Sequence, residues 1–207
     1  SCLPGSFNNE LGLAADACFP CANGSVSEGV GSTSCTQCPQ GTHLPTSATS
    51  CVSCLPGSFN NELGLAADLC APCPSGSFSE GVGSTSCELC PQGTHLPTSV
   101  VGVSIASCAA CAPGSYGSTL GLATDACTLC PAGKFSEELS SISCSECPAG
   151  AYCPEGAVEA RACREQIPYS TTINAGITSI DGCFCAVGYY LGGNGTSREC
   201  VQCDSIM

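Results

Sequence analysis

Tryptophan is missing from this chain of 207 residues, methionine occurs once, and the remaining aromatics are five Tyr and six Phe. Large apolar side chains are too few and too evenly spread to build one core, which argues for a string of small modules over a single globule. Basic residues are almost as scarce: one lysine, Lys134, and three arginines, Arg161, Arg164 and Arg198, stand against 17 acidic residues for a net charge of −13. Phosphate backbones are held by clustered Lys and Arg, so nucleic acid is excluded as a partner. The same deficit argues against an anionic membrane surface. No apolar run reaches 18 residues, and the most apolar stretch, Val100 to Ala106, is broken by Gly102 and Ser104. Membrane insertion of this segment is therefore not expected. The negative charge itself reads as solubility and self-repulsion along an exposed surface.

Cysteine is abundant instead, with 23 residues, about 11% of the chain. Eight successive C-x-x-C pairs, Cys18/Cys21, Cys35/Cys38, Cys51/Cys54, Cys70/Cys73, Cys87/Cys90, Cys108/Cys111, Cys127/Cys130 and Cys144/Cys147, recur at steps of 16 to 21 residues. That density marks a disulfide scaffold, and reducing compartments do not keep such scaffolds oxidised. An extracellular or cell-surface address follows. The chain opens at Ser1-Cys2 inside one cysteine motif and ends at Met207 just past another, Cys200-Val-Gln-Cys203, as though cut from a longer polypeptide.

The loops between pairs fall into three alternating types, making a larger repeat of about 52 to 57 residues. The first type spans 2–18, 54–70 and 111–127, the second 21–35, 73–87 and 130–144, and the third 38–51 and 90–108, with a variant starting at Cys147. Residues 2–16 and 54–68 are identical. Each unit opens C-x-x-G-x-Φ, where Φ is Phe7, Val26, His43, Phe59, Phe78, His95, Tyr116, Phe135 or Tyr152. Pro, where present, presets one φ, Gly supplies the turn, and Φ folds back onto the disulfide as a miniature core. The NNELGLAAD stretches (8–16 and 60–68) have room for about one helical turn, and SEGVGSTS reads as short strand or loop. The expected class is small and disulfide-rich: an elongated tandem array of single-disulfide loops, irregular, with short β-hairpins and little helix.

The motif C-P-x-G-x-[F/Y] with C-x-x-C resembles the ephrin-receptor-like and tumour-necrosis-factor-receptor-like cysteine-rich modules over roughly residues 2–163. Such modules also form long arrays in surface proteins of protists and algae. In that family the simplest module is one loop closed by one disulfide. The resemblance therefore implies Cys2–Cys18, Cys21–Cys35, Cys38–Cys51, Cys54–Cys70, Cys73–Cys87, Cys90–Cys108, Cys111–Cys127 and Cys130–Cys144. This ladder also gives Cys2 a partner. Beyond it, Cys183-Phe-Cys185-Ala-Val-Gly-Tyr-Tyr followed by Cys200 resembles the end of an epidermal-growth-factor-like module. That family's pairing implies Cys147–Cys163, Cys153–Cys183 and Cys185–Cys200, with Cys203 left unpaired. The implied divisions are cysteine-rich super-repeats at 2–53 and 54–110, a partial third at 111–146, and an EGF-like or variant cysteine-rich module at 147–203.

Other chemistry is weaker. Two C-x-x-C pairs suit a zinc tetrahedron, but zinc modules pair two knuckles and then change spacing, whereas this chain keeps one spacing in an acidic context. Thiol redox catalysis lacks the α/β scaffold those motifs occupy. His43 and His95 both fill the Φ slot, where packing explains them, and no Ser/His/Asp grouping is readable. Asp16, Asp68 and Asp125 recur two residues before a cysteine; without a D-x-D-x-D-G loop they read as ligands to local turn backbone, not calcium. Catalytic residues, metal and cofactor are thus not expected. The sequons Asn23-Gly-Ser and Asn194-Gly-Thr are candidate N-glycosylation sites.

Two functions fit. One is a structural glycoprotein segment, a disulfide-laddered rod or spacer that self-associates with itself or other surface proteins in a surface fibre or flagellar hair of mastigoneme type. The other is the stalk or ligand-binding region of a cell-surface receptor. Recognition would need one unit to diverge from the rest, and the strongest divergence lies in 148–200.

Overall fold

A computed structural model describes residues 1–9, 17–46, 48–124, 127–192 and 198–203. The chain forms two units, one of Ser1–Cys90 with Leu96–Ala109 and one of Pro91–His95 with Ala110–Met207. Among the described residues the regular structure is eleven two-stranded sheets, one four-residue α-helix at Cys163–Gln166 and two 3-10 turns at Ile105–Ser107 and Ile180–Gly182.

One module explains the rest. After Cys111, the turn closes with Ser115 N donating to Ala112 O at 3.0 Å, and Gly114 sits at φ 80°, a conformation a Cβ resists. Ser115–Tyr116 then pairs antiparallel with Thr128–Leu129, the two residues inside the next C-x-x-C. Cys130 N donates to Gly114 O at 2.9 Å, and Cys111–Cys127 closes the loop covalently. The unit at Cys54 repeats this, with Ser58 and Phe59 paired to Pro72 and Ala71 and with Cys73 N on Gly57 O. Every C-x-x-C thus supplies a closing cysteine, two strand residues and the opening cysteine of the next loop.

The first eight disulfides join Cys2–Cys18, Cys21–Cys35, Cys38–Cys51, Cys54–Cys70, Cys73–Cys87, Cys90–Cys108, Cys111–Cys127 and Cys130–Cys144. The tail differs from the growth-factor-like pairing. Cys147 bonds Cys153 and Cys163 bonds Cys183, in place of Cys147–Cys163 and Cys153–Cys183; Cys185–Cys200 is present. The strand register supplies the reason. Ala151 pairs Ala162 and Tyr152 pairs Arg161, which matches the module at Cys111 residue for residue. In that alignment Ala160 stands where the closing cysteine belongs, and Cys163 opens the next loop. Cys147, denied that partner, takes Cys153 six residues on, and Ala160 packs against the buried cluster of Cys147, Ala151, Cys153 and Ala157.

The tail's later modules keep the frame with further exchanges. Tyr169, at φ 61°, occupies the glycine slot before the strand Ser170–Thr171, and its ring stacks on Tyr189 at 4.4 Å. The inserted helix Cys163–Gln166 lengthens the opening turn, which Ser170 N closes onto Ile167 O.

The single helical turn expected at 60–68 is not formed; residues 62–64 make a bend and a turn. Gly64 lies at φ 67°, and buried Asn60 diverts the chain by donating to Thr42 O and Glu62 O while accepting from Glu62 N. The earlier copy, 8–16, falls largely outside the described residues. The core is local throughout. Opening cysteines such as Cys38, Cys54, Cys90, Cys111 and Cys130 are fully buried, while every Φ side chain is buried or half-buried. Phe78, Cys90 and Leu96, with Cys108 against them, form one such cluster.

Candidate interaction surface

Within each unit, neighbouring modules meet through backbone. The opening cysteine's carbonyl accepts from an amide at the tip of the following loop. In the first unit Gly31 N donates to Cys2 O, Gly64 N to Cys38 O and Gly83 N to Cys54 O, at 2.7 to 2.8 Å. In the second, Ser140 N donates to Cys111 O, Gly156 N to Cys130 O and Gly176 N to Cys147 O, at 2.7 to 2.9 Å. A second bond runs from the motif glycine: Gly41 N to Asn60 O, Gly57 N to Ser79 O, Gly114 N to Ser136 O and Gly133 N to Cys153 O. The fit is close. A Cβ on Gly41 would overlap the Gly83 carbonyl, and one on Gly133 the Gly176 carbonyl. These seams are built mainly from main-chain groups, they require glycine where the backbones approach most closely, and the Ser27 and Ser79 hydroxyls add bonds to the amides of Gly5 and Gly57.

The histidines serve this seam. His43, 7% exposed, places Nδ1 2.8 Å from Ala67 O, and His95 places Nδ1 3.0 Å from Thr124 O. A carbonyl only accepts, so Nδ1 carries the proton and donates in both. Asp68, one residue further on, accepts from Thr46 N and Thr46 Oγ1, each at 3.0 Å. Those two bonds, the backbone one foremost, hold its carboxyl below the ordinary value, with the charge of His43 a minor aid. Asp68 thus binds backbone of the preceding loop; Asp16 and Asp125 lie outside the described residues. Among the described residues no group of three His, Cys, Asp or Glu side chains could hold a metal ion.

Asn23 sits exposed in the turn of its module, on the rim of an open hollow of about 310 Å³ with Leu44 and Pro45. Asn194 lies outside the described residues. Cys203 is exposed with a free thiol, and no helix among the described residues is long and apolar enough to cross a membrane.

One surface was not anticipated from the sequence. An apolar groove of about 560 Å³ opens in the first unit between Val52, Leu55, Pro56, Leu69, Pro72 and Val101, with His43 at its floor. Leu55, Leu69 and Val101 are 70%, 80% and 59% exposed, an arrangement that places apolar surface against water. Val101 arrives on a loop five residues longer than its counterpart: Cys90 and Cys108 are 18 apart where Cys38 and Cys51 are 13 apart. That extra length folds back over Gly57, whose added Cβ would meet Val101 and Val103. Gly102 O accepts from Ser79 N, and Ile105 N donates to Glu80 Oε1 at 2.8 Å. The readable signal was the longer loop together with Leu69 in place of Ala17, the one difference between the loops 2–18 and 54–70.

Residues 63–104, about a fifth of the chain, match the family model for tyrosine-protein kinase ephrin type A/B receptor-like modules. The chain is also similar to "Sushi, von Willebrand factor type A, EGF and pentraxin domain-containing protein 1" of mouse, at 32% identity over 192 residues, 88% of this chain. The rat protein of that name gives the same identity and coverage. The chain spans only 4% of the length of either relative. It is a cysteine-rich disulfide repeat region of the extracellular type, similar to one stretch of a large multidomain protein.

Proposed function

We propose that this chain is a non-catalytic spacer within a long extracellular or cell-surface glycoprotein, a laddered rod whose repeats belong to a surface fibre such as a flagellar hair. The observation carrying this reading is the pair of main-chain hydrogen bonds that recurs at several modules of each unit. A seam built mainly of main-chain groups suits stacking many similar loops in series, and single-disulfide loops contact mainly their neighbours. Self-association or binding to other surface proteins then proceeds through repeated weak contacts. The exposed turn at Asn23 is where an N-linked glycan is expected, and peptide mass spectrometry with glycosidase treatment tests it.

A second reading, the stalk or ligand-binding region of a surface receptor, is favoured by the ephrin-receptor-like match and by relatives built of many domains. Small-angle scattering addresses the spacer directly. A compact globule of this length has a radius of gyration of about 17 Å; the rod requires a value well above that, and a value near it defeats the proposal. Negative-stain imaging of native material separates the two readings, filaments favouring the fibre and isolated particles the receptor.

A further inference from the structure

We propose that the groove between Leu55, Leu69, Val52 and Val101 is a docking site for a cationic polypeptide segment, which seats an aliphatic or aromatic side chain between the leucines and flanks it with lysine or arginine. This goes beyond the spacer reading and holds for a fibre subunit or a receptor stalk alike.

Two independent observations carry it. The first is where the repeat loses its symmetry. The loops 2–18 and 54–70 agree at every position except one, Ala17 against Leu69, and that one change puts a largely exposed leucine on the groove wall. The opposite wall, Val101, comes from the five-residue lengthening of 90–108, held in place by Gly102 on Ser79 and by Glu80 on Ile105. In the third copy of the first loop type, Ala112 replaces Leu55, so the pair of leucines occurs once in the chain. Exposed leucines occur in other modules too, but here Leu55 and Leu69 line one groove with Val52 and Val101, and the seam bonds do not involve them.

The second observation is charge. The first unit contains seven carboxylates, Glu10, Asp16, Glu28, Glu62, Asp68, Glu80 and Glu88, and no lysine or arginine, the first basic residue of the chain being Lys134. Asp68 adjoins Leu69 directly. A basic partner is drawn to such a field and a like-charged one is repelled within the screening length, about 10 Å at 0.1 M salt. A second copy of this unit would bring its own seven carboxylates and no compensating cation, and an anionic lipid surface would be repelled likewise. No carboxylate lines the groove itself, so the charge acts from the unit that carries it, and a positively charged segment with an apolar anchor suits both the groove and that field.

The test is selection of a random linear peptide library on the oxidised chain, followed by titration of the chosen synthetic peptides against three proteins. These are the parent chain, Leu69→Ala, and Leu69→Ala with Val101→Ser. Leu69→Ala recreates the sequence of the loop 2–18, which Cys2–Cys18 closes, and disulfide mapping verifies that each variant keeps its bonds. The proposal expects net-positive peptides carrying a large apolar residue, affinity lowered about tenfold by Leu69→Ala and further by the double change. It also expects weakening as salt rises from about 0.05 to about 0.5 M. It is overturned if no peptide is enriched over the double variant, if the chosen peptides are neutral or acidic, or if the variants bind equally well. A Leu69-dependent dimer in sedimentation, or Leu69-dependent binding to acidic lipid vesicles, reassigns the groove and also overturns it.

Discussion

Between Cys111 and Cys130 a loop is closed by Cys127, and two strand residues then lead to the next opening cysteine. Between Cys147 and Cys163 the strand pairing is the same, but Ala160 fills the closing position and the bond is made inside the turn, to Cys153. Further on, Tyr169 fills a position that glycine holds in the ladder. The comparison separates two layers of specification. Hairpin register persists when a cysteine or a glycine is exchanged, and the inter-module amide–carbonyl bonds persist across the cysteine exchange, so the backbone frame is the unit of construction and the disulfide is its lock. In the ladder, lock and frame coincide; in the tail they do not.

The largest effect tests whether either region stands without its locks. Strong reductant should abolish the hairpins in both, measured by circular dichroism and amide exchange, while a chelator at saturating concentration should leave both unchanged. Each module buries little apolar area, and a loop of about 15 residues gains about 3 kcal/mol from closure in the chain-entropy model. Survival of native exchange protection in the reduced tail would mean that packing around Tyr152, Cys163, Cys183, Ile177 and Ile180 carries it unaided.

A narrower test compares single locks. Replacing both Cys111 and Cys127 by serine should cost about 3 kcal/mol, whereas replacing Cys147 and Cys153, only six apart, should cost about 2.4 kcal/mol, because a shorter ring restricts the unfolded chain less. The vacancy itself is testable: Cys153→Ser combined with Ala160→Cys should yield a Cys147 to position 160 bond on disulfide mapping. Failure of that bond to form, with Cys163–Cys183 intact, would break the alignment of tail on ladder.

These contrasts also explain what was legible in the sequence. Cys2 to Cys144 could be paired because the C-x-x-C motif recurs throughout, with partners only 13 to 18 residues apart, so the resemblance had one consistent solution. Cys147 and Cys153 could not, because the informative residue is Ala160, whose meaning lies in facing a disulfide and not in its own chemistry. The absence of a helical turn at 60–68, which has room for one, has a similar origin. The local pattern allowed a helix, but Asn60 and Gly64 are committed to the preceding module, and a contact about 20 residues away is invisible to a short window. The groove is not legible in the sequence because its walls, Val52, Leu55, Leu69 and Val101, come from separate segments that only the fold brings together.

Glycine substitutions sharpen the difference between seam and turn. Gly41→Ala should destabilise the ladder by about 2 kcal/mol or more, since the added Cβ meets both a left-handed φ of 77° and the Gly83 carbonyl. Gly188→Ala in the tail, at φ 90° with nothing within 4 Å of its added Cβ, should cost about 1 kcal/mol, the conformational term alone. Chemical denaturation of the two variants measures the gap. Equal losses would mean that the close approach at Gly41 contributes nothing to module stacking.

The smallest effect concerns the one polar lock peculiar to the ladder. Asp68 accepts two bonds from Thr46, which lower its pKa below the ordinary 3.8. A carboxyl with a depressed folded-state value stabilises the fold above its unfolded value and loses that contribution as pH falls through the folded one. Asp68 is solvent-exposed, so the contribution is modest and screened by salt. The parent chain should therefore be slightly more stable than Asp68→Ala at pH 6, and the gap should close on acidification below 3.8, with other carboxylates titrating alike in both proteins. Denaturation midpoints of the pair across that range give the answer. A gap that persists unchanged at pH 2 would mean that Thr46 is held by packing and not by the ionised carboxylate.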